Sequence, residues 1–80
     1  MSVKLVFLGK LADLAGTPEK TAPAPLDWKG LIETLSGPLA ETVRGEKVKL
    51  ALNGAVLPDK SALAANDGDE IALLPPVSGG

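Results

Sequence analysis

Asp67-Gly68-Asp69-Glu70-Ile71-Ala72-Leu73-Leu74-Pro75-Pro76 is the stretch on which the fold of this 80-residue chain turns. Asn66 to Asp69 predicts a turn in which Gly68 supplies positive φ, and Glu70 to Leu74 predicts a β-strand. Pro75 and Pro76 end that strand, because each fixes φ and lacks an N–H donor. Val77-Ser78-Gly79-Gly80 follows directly. Glycine has no Cβ, so a terminal pair can thread a narrow channel and leave the last carboxyl open to another protein's active site. The pair alone does not separate this from a frayed tail or a cloning remnant, since about half a percent of chains would carry it at an average glycine usage of about 7%. The prolines also have two readings: an ordinary strand terminator, or the base of an extended stalk that projects the glycines outward.

Upstream of this stretch, Val48 to Leu52 alternates, with Val48, Leu50 and Leu52 pointing inward and Lys47, Lys49 and Ala51 outward. Asn53-Gly54 then predicts a tight turn into a brief strand, Ala55 to Leu57, which Pro58-Asp59 ends. Asp27 is the N-cap of the main helix, whose apolar residues Trp28, Leu31, Ile32, Leu35 and Leu39 recur at helical spacing. Gly37-Pro38 interrupts it, so Pro38 to Val43 is expected as a separate turn of helix closed by Arg44-Gly45. At the other end of the chain, Val3 to Leu8 reads as a strand with Val3, Leu5 and Phe7 on one face and Lys4, Val6 and Leu8 on the solvent face. Lys10 to Ala15 is a short helix stopped by Gly16 and Pro18. Glu19 to Ala24 returns as a strand that Pro23 and Pro25 confine to a sheet edge. No internal repeat or linker is visible.

Composition removes whole classes of function. Phe7 and Trp28 are the only aromatics, and there is neither cysteine nor histidine. The core must therefore be aliphatic, and disulfides, thiolate metal sites and Ser-His or Cys-His nucleophilic pairs are excluded. Ser78 has no base to activate it. A net charge of −2 with no basic cluster argues against nucleic acid as a partner. The N-terminus lacks a signal-peptide pattern, and the longest apolar run, Ile71 to Val77, is far too short to span a bilayer. A soluble cytoplasmic protein with no membrane partner is expected. Asp67, Asp69 and Glu70 read as solvated turn formers and not as a metal site, because the spacing of a Ca²⁺ loop is absent. Asp13, Glu33 and Glu41 read as solvent-facing helix charges.

The order strand, short helix, strand, long helix and three further strands resembles the ubiquitin-like β-grasp, an α+β fold with a mixed sheet of about five strands wrapped around one main helix. The expected layout is a β-grasp domain over residues 1–76 and a flexible reactive tail over 77–80. Four segments together resemble the small subunit of molybdopterin synthase, the MoaD-type sulfur carrier: the opening strand with Leu11-Ala12-Asp13-Leu14-Ala15-Gly16, Leu52-Asn53-Gly54, Asp67-Gly68-Asp69-Glu70, and Pro75-Pro76-Val77-Ser78-Gly79-Gly80. The chain departs from that family's pattern at Ala12-Asp13, where an Arg-Glu pair is frequent, and at Leu73-Leu74, where aromatics are frequent.

The resemblance implies a non-catalytic carrier subunit. Gly80 would be adenylated by an ATP-using enzyme of the ubiquitin-activating type, converted to a thiocarboxylate by a sulfur donor protein, and presented to the large subunit of the synthase. Sulfur would pass there to cyclic pyranopterin monophosphate. The assembly implied is a large-subunit dimer with a carrier at each end, a heterotetramer. No cofactor is expected to be tightly bound, and ATP belongs to the activating partner, since the chain has no ATP motif. Val77, Ser78 and Gly79 would form the tail, with Gly79 giving steric clearance. Val6, Leu8, Ala51 and Leu74 fall on the face that the lysines assign to solvent, and with Pro75 and Pro76 leading out of it they are the expected partner-binding surface. Single exposed leucines are otherwise ordinary. Three alternatives share these features: a related carrier for thiamine or another sulfurated product, a protein modifier joined through Gly80 to a target lysine, and a β-grasp binding module with an inert tail.

Overall fold

Val3, Leu5 and Phe7 alternate with Lys4 and Val6, and β1 (Ser2–Phe7) accordingly buries the first set to 2% exposure or less. The computed structural model in which this is seen describes residues 1–75. After β1 the chain enters α1 (Lys10–Ala15), which Leu11 anchors in the core. Gly16 ends the helix in the left-handed conformation at φ 75°, its N–H donating to the Ala12 carbonyl at 2.9 Å. β2 (Glu19–Pro23) returns antiparallel to β1, with Val3 opposite Ala22 and Val6 opposite Glu19. It lies at the sheet edge, where Pro23 removes no ladder hydrogen bond.

Leu26 and Asp27 form β3, a two-residue strand paired with β6 (Ala64–Ala65) in a small second sheet that local patterning did not announce. Asp27 then caps α2 (Trp28–Leu35), Oδ1 accepting the Gly30 N–H at 2.8 Å. Leu31 and Leu35 enter the core from α2, with Trp28 and Ile32 at its margin. The interruption expected at Gly37-Pro38 is present. Pro38 cannot donate to the Thr34 carbonyl and its ring would clash there, so α2 stops and α3 (Gly37–Arg44) begins with proline in its first turn. The second piece is as long as the first, eight residues each, and the two meet at Ser36 with φ 45°.

β4 (Lys49–Leu52) and β5 (Ala55–Val56) form the hairpin at Asn53-Gly54, whose φ values of 49° and 88° are those a type I′ turn requires. A 3-10 turn at Lys60–Ala62 and β6 lead to β7 (Glu70–Leu74). The main sheet has the order β2-β1-β7-β4-β5, with β1 and β7 parallel and the other pairs antiparallel. This is the expected β-grasp. Val3, Leu5, Leu50, Ile71 and Leu73 of the sheet and Leu11, Leu31 and Val43 of the helices form the core, all at 1% exposure or less. Each fully buried aliphatic of this kind contributes about 1.5–3 kcal/mol. Among the described residues no polar or charged side chain is buried.

The carboxyl end of α3 is closed from a distance. Lys60 Nζ donates to the Val43 carbonyl at 2.8 Å and to the Gly45 carbonyl, and it stands 5.5 Å from the centroid of the Trp28 ring. A cation there satisfies orphan carbonyls and complements the helix dipole. Burial and the nearby Lys49 hold its pKa below the ordinary lysine value, with Glu46 opposing them. Lys60→Met keeps the apolar stem and removes the donors, and is expected to cost about 1–2 kcal/mol in denaturant unfolding. An unchanged midpoint would show that the ammonium adds nothing to the clamp.

Candidate functional site

The strand that leads to the diglycine lies in the middle of the sheet. β7 is hydrogen-bonded to β1 on one side and β4 on the other, so both edges of its backbone are fixed up to Leu73, and Leu74 is paired on the β4 side alone. Ile71 and Leu73 point into the core, while Ala72 and Leu74 lie half-buried on the opposite face. Strand register sets a row across that outer face in which Glu19, Val6, Ala72, Ala51 and Val56 are side by side. Leu74 lies opposite Lys49 toward the exit of β7. Leu8 follows β1 on the same side, its N–H donating to the Leu73 carbonyl at 3.3 Å.

Val6, Leu8 and Leu74 therefore stand together on the face turned away from the helices, and Leu8 is 40% exposed. Ala51 corrects the expected patch: it belongs to the same row but is only 6% exposed. β4 lies between β7 and β5, with Ala72 and Val56 directly beside Ala51 in register, and the short methyl of Ala51 does not reach solvent. Val56, 57% exposed, supplies the surface instead. The signal for Val56 was in the sequence, because a two-residue turn at Asn53-Gly54 fixes Val56 opposite Ala51. Of the lysines edging the patch, Lys49 stands beside Leu74 as expected, whereas Lys4 is tied to Glu19 at 3.3 Å. That exposed pair is worth at most about 1 kcal/mol.

Pro75 closes the strand above the β1–α1 turn, near enough that a Cβ on Gly9 would come within 3.2 Å of its Cγ. Pro76, Val77, Ser78, Gly79 and Gly80, and with them the domain boundary expected after residue 76, lie outside the described residues.

The sequence profile of the ThiS family matches residues 5–80, all of the sheet beyond the first residues of β1 included. The chain belongs to the ThiS family. It is 32% identical over 83 aligned positions to the molybdopterin synthase sulfur carrier subunit of Homo sapiens, covering 98% of this chain and 93% of that protein. Among solved structures it resembles a chain of the complex of subunits 1 and 2 of molybdopterin-converting factor from Helicobacter pylori, with 29% identity, full coverage of both chains and a TM-score of 0.68. It also resembles the small archaeal modifier protein 1 of Methanosarcina acetivorans, with 26% identity, a TM-score of 0.77, and coverage of 99% of this chain and 96% of that one.

In this ThiS-family chain the two glycine turns before β5 and β7 form one lattice. Asp67 Oδ1 accepts the Ser2 N–H at 2.9 Å, and Asp69 accepts from Asn53 Nδ2 at 3.1 Å and from the Asn66 N–H at 2.8 Å. Asn53 Oδ1 in turn accepts the Glu70 N–H at 2.9 Å. These bonds lock the β4–β5 hairpin onto the start of β7, so the acidic turn positions the strand that carries the tail. No group of three or more His, Cys, Asp or Glu side chains among the described residues is placed to hold a metal ion. Nor is any helix among them long and apolar enough to cross a membrane.

Donation from Asn66 and Asn53 holds the Asp69 pKa below the ordinary 3.8. A depressed folded-state pKa stabilises the fold above the unfolded value, and that contribution is lost as pH falls through the folded one. Asp69→Ala is therefore expected to melt earlier than wild type at neutral pH, with the gap in Tm narrowing in strong acid. A gap independent of pH would show that the carboxylate charge is irrelevant to the lattice.

Proposed function

We propose that this chain is the sulfur-carrier, small subunit of a molybdopterin synthase, acting through the carboxyl of Gly80. One observation carries this: a ThiS-family β-grasp whose central strand runs out through Pro75-Pro76 to Val77-Ser78-Gly79-Gly80. The full-length similarity to a protein named molybdopterin synthase sulfur carrier subunit supports it.

The chemistry asks nothing catalytic of the carrier. A free carboxylate is a poor acyl electrophile, so an adenylating partner of the ubiquitin-activating type joins it to the α-phosphorus of ATP and releases pyrophosphate. A sulfide equivalent from a donor protein attacks the acyl carbon and expels AMP, which leaves a thiocarboxylate on Gly80. The large subunit then receives the tail, and the thiocarboxylate sulfur passes to cyclic pyranopterin monophosphate. Hydrolysis returns the carboxylate, and a second charged carrier supplies the other dithiolene sulfur. The carrier holds no cofactor of its own, and the cycle belongs to the cytoplasm.

The outer face of the sheet is the docking surface in this scheme. Val6, Leu8, Ala72, Leu74 and Val56 are a contiguous apolar strip, and β7 leads from it into the tail, so a partner seated there receives the carboxyl. The similarity to a chain solved in complex with its partner subunit supports a large subunit as the partner, and the assembly proposed is a large-subunit dimer with a carrier at each end.

The test is the intact mass of the protein purified from cells lacking the large subunit, in which charged carrier accumulates. A gain equal to one oxygen replaced by sulfur is expected. An unmodified mass after incubation with ATP, sulfide and the adenylating enzyme would overturn the carrier function. A second function is favoured by the similarity to a small archaeal modifier protein: an isopeptide bond from Gly80 to a target lysine. High-mass conjugates on a denaturing gel, lost when Gly80 is deleted, would distinguish it.

A further inference from the structure

We propose that Gly9 is a positioning residue for the tail: its missing side chain lets the Pro75 ring close on the β1–α1 turn, and that contact aims the chain as it leaves the sheet. This rests on the carrier function above. Gly9 occupies the N-cap of α1, and no side chain caps the helix. Its φ of 54° and ψ of −129° lie in a region closed to nearly every L side chain. A Cβ added there would stand 3.2 Å from Pro75 Cγ, tighter than ordinary van der Waals contact.

Neither side of that contact yields easily. The turn is pinned to α1 by the Ala12 N–H on the Gly9 carbonyl at 3.0 Å and the Leu11 N–H on the Leu8 carbonyl at 3.1 Å. It is pinned to β7 by the Leu8 N–H on the Leu73 carbonyl at 3.3 Å. Pro75 has a φ fixed by its ring, so a push on the ring is passed to the direction of the chain. Misplacement of a reacting atom by about 1 Å can cost about a hundredfold in rate. Gly9 thus governs the direction in which the chain leaves the sheet at Pro75 without touching a partner.

The experiment measures charging of the full chain by its cognate adenylating enzyme, with ATP and sulfide, as a function of carrier concentration. Gly9→Ala is expected to lower kcat by about tenfold or more and leave KM within about twofold, because the sheet face that docks is unaltered. The same substitution in a Pro75→Ala background is expected to have little further effect, since the atom it meets is gone. Partial unfolding would instead raise the apparent KM and spare kcat, because more protein restores the folded fraction. An unchanged kcat, or an equal loss in both backgrounds, overturns the inference. Should Gly9→Ala not fold, Pro75→Ala alone probes the same contact: a fall in kcat with KM within about twofold is expected, and an unchanged kcat overturns the inference. A wild-type chain that is never charged would overturn the carrier function itself, and this inference with it.

Discussion

A chain lacking Gly80 is expected to accumulate no thiocarboxylate and to leave a strain that depends on it without molybdoenzyme activity. The loss should be complete, because truncation moves the carboxyl back by one residue, and an active site matched to a tail of fixed reach cannot draw it forward. Misplacement by a residue's length exceeds the shift that already costs about a hundredfold. Folding should be little affected: among the described residues the last one buried in the core is Leu73, and the truncated domain should unfold within about 0.5 kcal/mol of wild type. Gly80→Ala is milder. It keeps the carboxyl at the right length but adds a Cβ where the channel must admit only backbone. Normal charging and normal molybdoenzyme activity without Gly80 would leave an inert-tailed binding module as the surviving account.

Leu74→Glu is expected to weaken binding to the large subunit by about thirtyfold or more, equivalent to about 2 kcal/mol, while the domain stays folded. Leu74 is half-buried at the exit of β7, with Lys49 opposite it and its inward neighbour Leu73 at 0% exposure. In the free domain the glutamate can reach solvent and Lys49, so the substitution costs little. Against an apolar partner surface the same carboxylate has to be desolvated without a matched donor, and that difference appears in the affinity. Titration calorimetry with the purified large subunit measures it, and circular dichroism checks the fold. An affinity equal to wild type would remove the outer sheet face from the docking surface. Val56, the most exposed member of the strip, is the natural second position to vary.

Much of the fold was legible because its signals are local. The alternation of Val3, Leu5 and Phe7 with Lys4 assigned both faces of β1, and Gly16 with Pro18 bounded α1. Pro38 divided the helical segment, and Asn53-Gly54 and Asp67-Gly68 placed two turns. In each case a backbone torsion or a missing donor forces the outcome whatever the rest of the chain does. The five-residue β7 was legible for the same reason, bounded by its turn and by Pro75.

The site was legible in outline only. Val6, Leu8 and Leu74 were assigned to the outer face by period-two alternation, and their residue types sufficed. Ala51 shared that parity, but its exposure depended on which strands flank β4, and pairing between segments many residues apart is not written in either segment. The same limit hid the β3–β6 pair, since two-residue strands carry no periodicity and exist only because tertiary packing brings Leu26 beside Ala65. It hid the reach of Lys60 to the end of α3 as well.

By itself, then, the sequence determined the element types, the inward and outward faces, the exclusion of histidine and thiol chemistry, and a glycine tail following a proline-stopped strand. These follow from side-chain period, backbone torsion and the presence or absence of functional groups, all properties of neighbouring residues. Only the tertiary structure decided that β7 is the central strand, that Val56 and not Ala51 surfaces the outer face, and that Gly9 meets Pro75. Those three depend on strand order and register, which are set by the joint packing of one aliphatic core and not by any single stretch of chain.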